Sequence, residues 1–197
     1  MSEPAILELP YLGERNYIQG ATLFEALAGD CRNGRNISMR ISRLIESNRV
    51  AREDFDPEKG DSMGFYATLL WNEGELKKGI GINPAAPSPI PSRTPYDEAV
   101  IVSRATFHGA TVSTTYQGNN SVVRTIVALN KALLIRLLSP TAPGQWLFVR
   151  LDLNRYVELF RELRIVHRAS VGLAAVSSTI EIDGKTVGSL VFSWWKK

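Results

Sequence analysis

The chain has 197 residues, 44% of them hydrophobic and 22% charged, the proportions of an ordinary globular protein and not of a disordered or fibrous one. Its formal net charge of +3 is too small to mark an obligate polynucleotide binder, and it favours acidic partners only in a general way. The lone cysteine, Cys31, has no internal disulfide partner, which predicts a reducing, cytoplasmic setting; no signal peptide and no uncharged run of membrane-spanning length is read.

Taken in order, Ala5–Leu12 is predicted as a short strand ending at Gly13. In YIQGATLFEALAG the spacing of Leu23, Phe24 and Leu27 predicts a short helix, ended by Gly29 and Asp30. Arg32, Arg35, Arg40, Arg43, Arg49 and Arg52 are then interleaved with apolar residues, and Ile37, Met39 and Ile41 at period two predict a strand with one arginine-rich face. Asp54–Asp61 reads as a loop. GFYATLLWNEGELKKGIGI reads as two strands around a turn at Asn72–Gly74.

From Asn83 to Pro95 the composition changes. Pro84, Pro87, Pro89, Pro91 and Pro95 are half of the chain's 10 prolines, a density that excludes helix and central strand and predicts an extended connector. The chain is therefore divided into a first domain over 1–83, a linker over 84–95 and a second domain over 96–197. Beyond the linker, EAVIVSRATFHGATVSTTY is predicted as a long strand.

Asn120–Leu138 follows as the central helix. Its apolar residues leave only a narrow polar strip at Arg124, Asn130 and Lys131, so it belongs to a helix covered on most sides. Asn119, Asn120 and Ser121 supply the start, and Pro140 the stop. GQWLFVRLDL is read as a strand, with RYVELFREL left as helix or strand. RIVHRASVGLAAVSSTIEIDGKTVGSLVFSWW is read as strands joined at Asp183–Gly184, a two-residue hairpin turn.

The two sides of the linker carry similar parts in a similar order, and ATLLWNEGELKKGIGI aligns with STIEIDGKTVGSLVF. This pattern predicts an internal duplication. With a helix among strands in each half, the chain resembles the hotdog fold, an α+β architecture in which a curled antiparallel sheet wraps a central helix. The expected form is a double hotdog.

More specifically, QGATLFEALA (Gln19–Ala28) resembles the helix-opening motif of bacterial 3-hydroxyacyl-ACP dehydratases, and the fold class also takes in acyl thioesterases. Gly20 falls on the motif glycine, Glu25 on its catalytic carboxylate and Ala26 on the alanine that follows. The family's histidine position is occupied by Tyr11. In the second half Gln117–Gly118 takes the motif place, Val123 stands at the carboxylate position, and His108 lies one residue from the histidine position. The family shares its active site between two hotdogs, so the resemblance implies one composite site of Glu25 and His108.

Dehydration of a 3-hydroxyacyl thioester needs a base for the C2 proton, an acid for the departing hydroxyl and fixed dipoles for the charge on the thioester oxygen. The resemblance assigns these to His108, Glu25 and the helix starts at Gly20 and Gly118. Without a Cβ, each glycine lets a thioester approach the backbone. Arg40 or Arg43 would meet the phosphopantetheine arm of coenzyme A or an acidic acyl carrier protein.

The alternatives are a thioesterase in which Glu25 activates water, and an inert acyl-binding or assembly protein. Each candidate also has a plainer reading: Glu25 as a solvated helix carboxylate, His108 as a strand histidine, Arg40 and Arg43 as a soluble strand face. His167 is expected to face solvent, and Cys31 to be a plain thiol despite its arginine-rich context. No cofactor, metal, nucleic acid or membrane span is expected, and self-association is left open. Two histidines and one cysteine are poor material for a zinc site.

Overall fold

The computed structural model describes residues 4–58, 64–138 and 143–196. The chain divides into two compact units, Met1–Tyr96 and Asp97–Lys197. Both are sheet-rich with few helices, as an α+β reading requires.

The first unit contains β1 (Ala5–Glu8), β2 (Tyr11–Leu12), α1 (Gly20–Cys31), β3 (Arg35–Ile41), β4 (Arg49–Phe55), β5 (Ala67–Glu73), β6 (Leu76–Pro84) and β7 (Arg93–Thr94). Its strands lie side by side as β1-β4-β6-β5-β3, with β2 and β7 forming a separate parallel pair. The period-two reading of β3 holds: Ile37 and Met39 are buried, and Arg40 is exposed. Pro10 lies between β1 and β2, so the predicted strand over Ala5–Leu12 is broken where the backbone has no N–H to give.

Three boundaries differ from the sequence reading. Helix α1 runs past Gly29 to Cys31, its last turn held by a two-pronged ion pair from Arg52 on β4 to Asp30 (2.9 and 2.7 Å). Strand β4 continues into the predicted loop as far as Phe55, while residues 59–61 of that loop lie outside the described residues. The β5–β6 turn is centred on Gly74 and Glu75, with Gly74 at φ +63°. The proline-rich stretch ends not as a free connector but stitched onto the first unit. Arg93 donates to the carbonyls of Gly13 (3.0 Å) and Arg15 (2.9 Å) and to Asn16 Oδ1 (2.7 Å).

The second unit contains α2 (Glu98–Ser103), β8 (Thr106–His108), β9 (Thr111–Thr114), α3 (Val122–Leu138), β10 (Gly144–Arg155), β11 (Leu163–Val171), β12 (Ala175–Ile182) and β13 (Lys185–Lys196). Its sheet order is β10-β13-β12-β11-β9-β8, and α3 packs against β9, β11 and α2. The long strand predicted after the linker is instead a short helix and a hairpin. Asp97 caps α2 by accepting from the Ala99 N–H (2.8 Å), Ile101 is buried, and Glu98 meets Lys131 of α3 at 2.8 Å. Apolar periodicity alone does not separate a one-and-a-half-turn helix from a strand.

Helix α3 is enclosed along most of its length, as its sequence demands: Val122, Val123, Ile126, Val127, Leu129, Leu133 and Leu134 are buried. Ser121 is its cap, Oγ accepting from the Arg124 N–H at 3.1 Å. Asn130 is not part of a solvent-facing strip, for it is fully buried. Pro140 lies outside the described residues. After Arg155 the chain is neither helix nor strand until Leu163, and the Asp183–Gly184 turn forms as read, both residues at positive φ (50° and 75°).

The suspected duplication is imperfect in one instructive respect. Each unit places a pre-helix strand beside the second strand after its helix (β1 by β4, β9 by β11). The third and fourth strands then exchange places. In the second unit β11 passes straight into β12 through a turn with Gly172 at φ +56°. In the first unit it is β6, not β5, that pairs with β4. Strands β4 and β5 consequently run the same way, so no hairpin can join them.

Candidate functional site

In the first unit the motif Gln19–Ala28 builds a helix start. Gln19 is extended (φ −73°, ψ 144°) and makes no side-chain cap, and the first intrahelical bond is Leu23 N–H to the Gln19 carbonyl at 3.0 Å. Ile18 fixes the approach, donating to Ile45 at 2.8 Å. The N–H groups of a first helical turn have no partner within the helix and carry the positive end of its dipole. Here Gly20, Ala21 and Thr22 are buried, and the Thr22 hydroxyl has no hydrogen-bond partner. Glu25 is half-buried and stands three residues on, on the same face as Thr22. An uncapped start with an enclosed hydroxyl and a neighbouring carboxylate is what an oxygen-bearing ligand can use.

Tyr11, at the position of the family's histidine, is an anchor. Its hydroxyl donates to the Glu46 carbonyl, and the Arg93 guanidinium lies over its ring at 5.3 Å. Arg40 and Arg43 are both exposed, Arg43 above the Tyr66 ring at 5.1 Å. A groove of about 600 Å³ opens in the same unit between Asp30, Arg52, Phe55, Trp71 and Lys78. Burial works against the Arg52 charge there, but the Asp30 and Asp54 carboxylates outweigh it and hold the guanidinium protonated more firmly than usual.

Cys31 closes α1 and is fully buried, its Sγ directed at the Ala28 carbonyl (3.8 Å). Burial pushes the thiol from its usual 9.0 up to about 11; its backbone hydrogen bond pulls it down, and the Asp30 charge adds to the rise. The arginine-rich context does not activate it. A thiol that ionises later in the folded than in the unfolded chain contributes full stability below pH 9 and loses it as the pH rises through 11. Cys31→Ala is expected to flatten that alkaline loss in denaturant titrations run between pH 8 and 11. Native Cys31 should also react with a thiol reagent at least about an order of magnitude more slowly than the unfolded chain.

In the second unit His108 ends β8, exposed, beside the hairpin turn at Gly109 (φ +53°). Gly118 occupies an exposed turn at φ +59°, four residues ahead of α3, so it is not at the helix start where the motif comparison set it. That start belongs to Ser121. His167 is not solvent-facing: it is half-buried, and its Nδ1 is enclosed without a partner. Ser178 directly across on β12 is 1% exposed, its hydroxyl also unpartnered, as are both amide atoms of the buried Asn130. Sequence reasoning missed these three because a lone polar residue in an apolar run looks the same whichever way it points. The available signal was phase: His167 keeps step with Leu163 and Ile165, not with Arg164 and Arg168.

No family model and no curated protein matches this chain. Among solved structures it is similar to hotdog-fold proteins. The dehydratase domain of PpsC from Mycobacterium tuberculosis, solved in complex with C12:1-CoA, is 10% identical, with 91% of this chain and 85% of that one covered at a TM-score of 0.48. A pyran synthase domain from module nine of the sorangicin pathway is 11% identical, covering 98% and 92% at 0.49. The erythromycin dehydratase is 11% identical, covering 96% and 84% at 0.47. Among the described residues no helix is long and apolar enough to cross a membrane, and no three His, Cys, Asp or Glu side chains gather as a metal site.

Proposed function

We propose that the chain is a double hotdog of dehydratase type acting on 3-hydroxyacyl thioesters carried by coenzyme A or an acyl carrier protein. The observation that carries this reading is the α1 start: the residues that resemble the dehydratase motif open a buried helix with no side-chain cap, and Glu25 stands half-buried on it. The first-turn N–H groups at Gly20 would hold the thioester carbonyl and the negative charge that develops on its oxygen. His108 would take the C2 proton. Glu25, as the acid, would give a proton to the C3 hydroxyl as the C3–O bond breaks and the C2–C3 double bond forms, releasing water and an enoyl thioester.

Exposed Arg40 and Arg43 offer charge for the phosphates of the carrier arm. Gly118, exposed ahead of Ser121, would shape the approach to α3, not anchor a carbonyl.

The test is turnover of a 3-hydroxyacyl-CoA, followed by the ultraviolet absorbance of the enoyl thioester. Glu25→Gln and His108→Ala are each expected to lower the rate by about 10²–10⁴-fold with the melting temperature unchanged. Rates untouched by both changes would sink the composite site. Release of free thiol in place of enoyl product would assign Glu25 to water activation, as in a thioesterase. Saturable binding without any product would leave an acyl-binding protein.

A further inference from the structure

The second unit holds a polar pair that the proposed chemistry does not use. In the β11–β12 ladder His167 stands opposite Ser178, between the apolar pair Ile165 and Ile180 on one side and Val176 on the other. The register fixes which face they share. Arg164 meets Glu181 at 3.1 Å, and Arg168 donates to Thr179 at 3.0 Å, so the charged residues of both strands occupy the opposite side of the sheet. His167 and Ser178 therefore lie with Leu163, Ile165, Ile180 and Ile182, the buried row, and α3 is the element packed against β11.

Directly opposed side chains of an antiparallel pair have Cβ atoms about 4.5–5.5 Å apart, close enough for one small group to touch both. The imidazole Nδ1 and the hydroxyl are nevertheless each without a partner. Buried polar groups are overwhelmingly paired in native proteins, because leaving one unpaired forfeits its hydration with nothing in return. A pair retained in that condition on an otherwise apolar face fits a ligand that completes it.

We propose that His167 and Ser178 form an internal hydrogen-bonding subsite for a second hydroxyl, carried on the acyl chain beyond C3, so that the substrates bear an oxygen besides the one that leaves as water. This rests on the acyl-thioester reading above. An uncharged group is required, since a charge among these side chains would lose its hydration without a counter-ion. A hydroxyl suits both partners at once, donating to the imidazole nitrogen and accepting from the serine.

The experiment measures affinity for octanoyl-N-acetylcysteamine thioester and its 5- and 7-hydroxy derivatives, which lack the hydroxyl that dehydration removes, while recording the ring ¹⁵N signals of His167 and His108. One hydroxy derivative is expected to bind about tenfold more tightly than the octanoyl parent and to shift the His167 ring signals. Ser178→Ala should erase that preference while leaving octanoyl affinity unchanged. It should also raise the melting temperature of the ligand-free protein by about 2–4 °C, because it removes an enclosed hydroxyl that bonds to nothing. A serine with a merely structural role would lower it.

Equal affinities across the series with the His167 signals unmoved would overturn the subsite, with water then satisfying the pair, and leave acyl binding intact. No saturable binding of any thioester would overturn the acyl reading and the subsite together.

Discussion

Gly188→Ala is expected to destabilise the protein by at least about 2–3 kcal/mol, although it adds a single methyl group to a strand. Gly188 faces Leu153 in the β10–β13 ladder, where the two 12-residue strands are also held by the Phe148–Phe192 and Trp146–Trp194 contacts (ring centroids 6.0 and 5.2 Å apart). A Cβ at 188 would run into the backbone carbonyl of Asp152, with Leu153 Cδ2 at 3.0 Å. A side chain can turn away, but a backbone paired on both sides, to Leu153 and to Ile180, moves only with its neighbours. The strands would have to part locally and give up hydrogen bonds.

Gly172→Ala is the control. Gly172 has φ +56° and nothing within 4 Å of an added Cβ, so its replacement meets only the left-handed backbone penalty of about 1 kcal/mol. Urea midpoints for the two variants, compared at constant m-value, decide the matter. Equal small losses would mean that β10 and β13 do not approach as closely as described.

The elements legible in the sequence were those whose signal is local. The β3 alternation and the wide apolar surface of α3 each repeat one physical demand over several residues, and the Asp183–Gly184 turn concentrates its signal in two adjacent ones. What was not legible depended on partners far along the chain. Helix α1 outruns Gly29 because Arg52, on another strand, grips Asp30. Helix α2 replaces a predicted strand because Asp97 caps it and Lys131 of α3 meets Glu98. The exchanged places of the third and fourth strands leave no trace in element order, since order along the chain does not say which edge a hairpin joins.

The candidate site divides in the same way. Gly20 and Glu25 were assigned from the spacing of a motif, and the helix begins at Gly20 itself. Gly118 was matched on spacing alone, and the capping chemistry of Ser121 moved the second helix start away from it. His167 was misjudged because its neighbours Arg164 and Arg168 are charged. In a strand, however, the neighbours that share an environment are two residues away, and Ile165 is one of these.

Leu129→Asp is expected to prevent the second unit from folding. Leu129 is fully buried near the middle of α3, one turn from Ile126 and Leu133, which are enclosed as well. Loss of the side chain from such a core costs about 2–5 kcal/mol. A carboxylate left among apolar side chains without a cation adds several kcal/mol, and together these reach the whole stability of a typical domain, about 5–15 kcal/mol. Leu137→Asp makes the same chemical change in the same helix, at a residue that is 36% exposed. It should cost only about 1 kcal/mol, from lower helix propensity and an acidic group near the negative end of the helix dipole. Near-ultraviolet circular dichroism and urea unfolding of the two variants separate burial from helix propensity. If both changes cost the same, α3 is held by its own propensity and the sheet does not enclose it; a wide difference means that the sheet is what holds the helix.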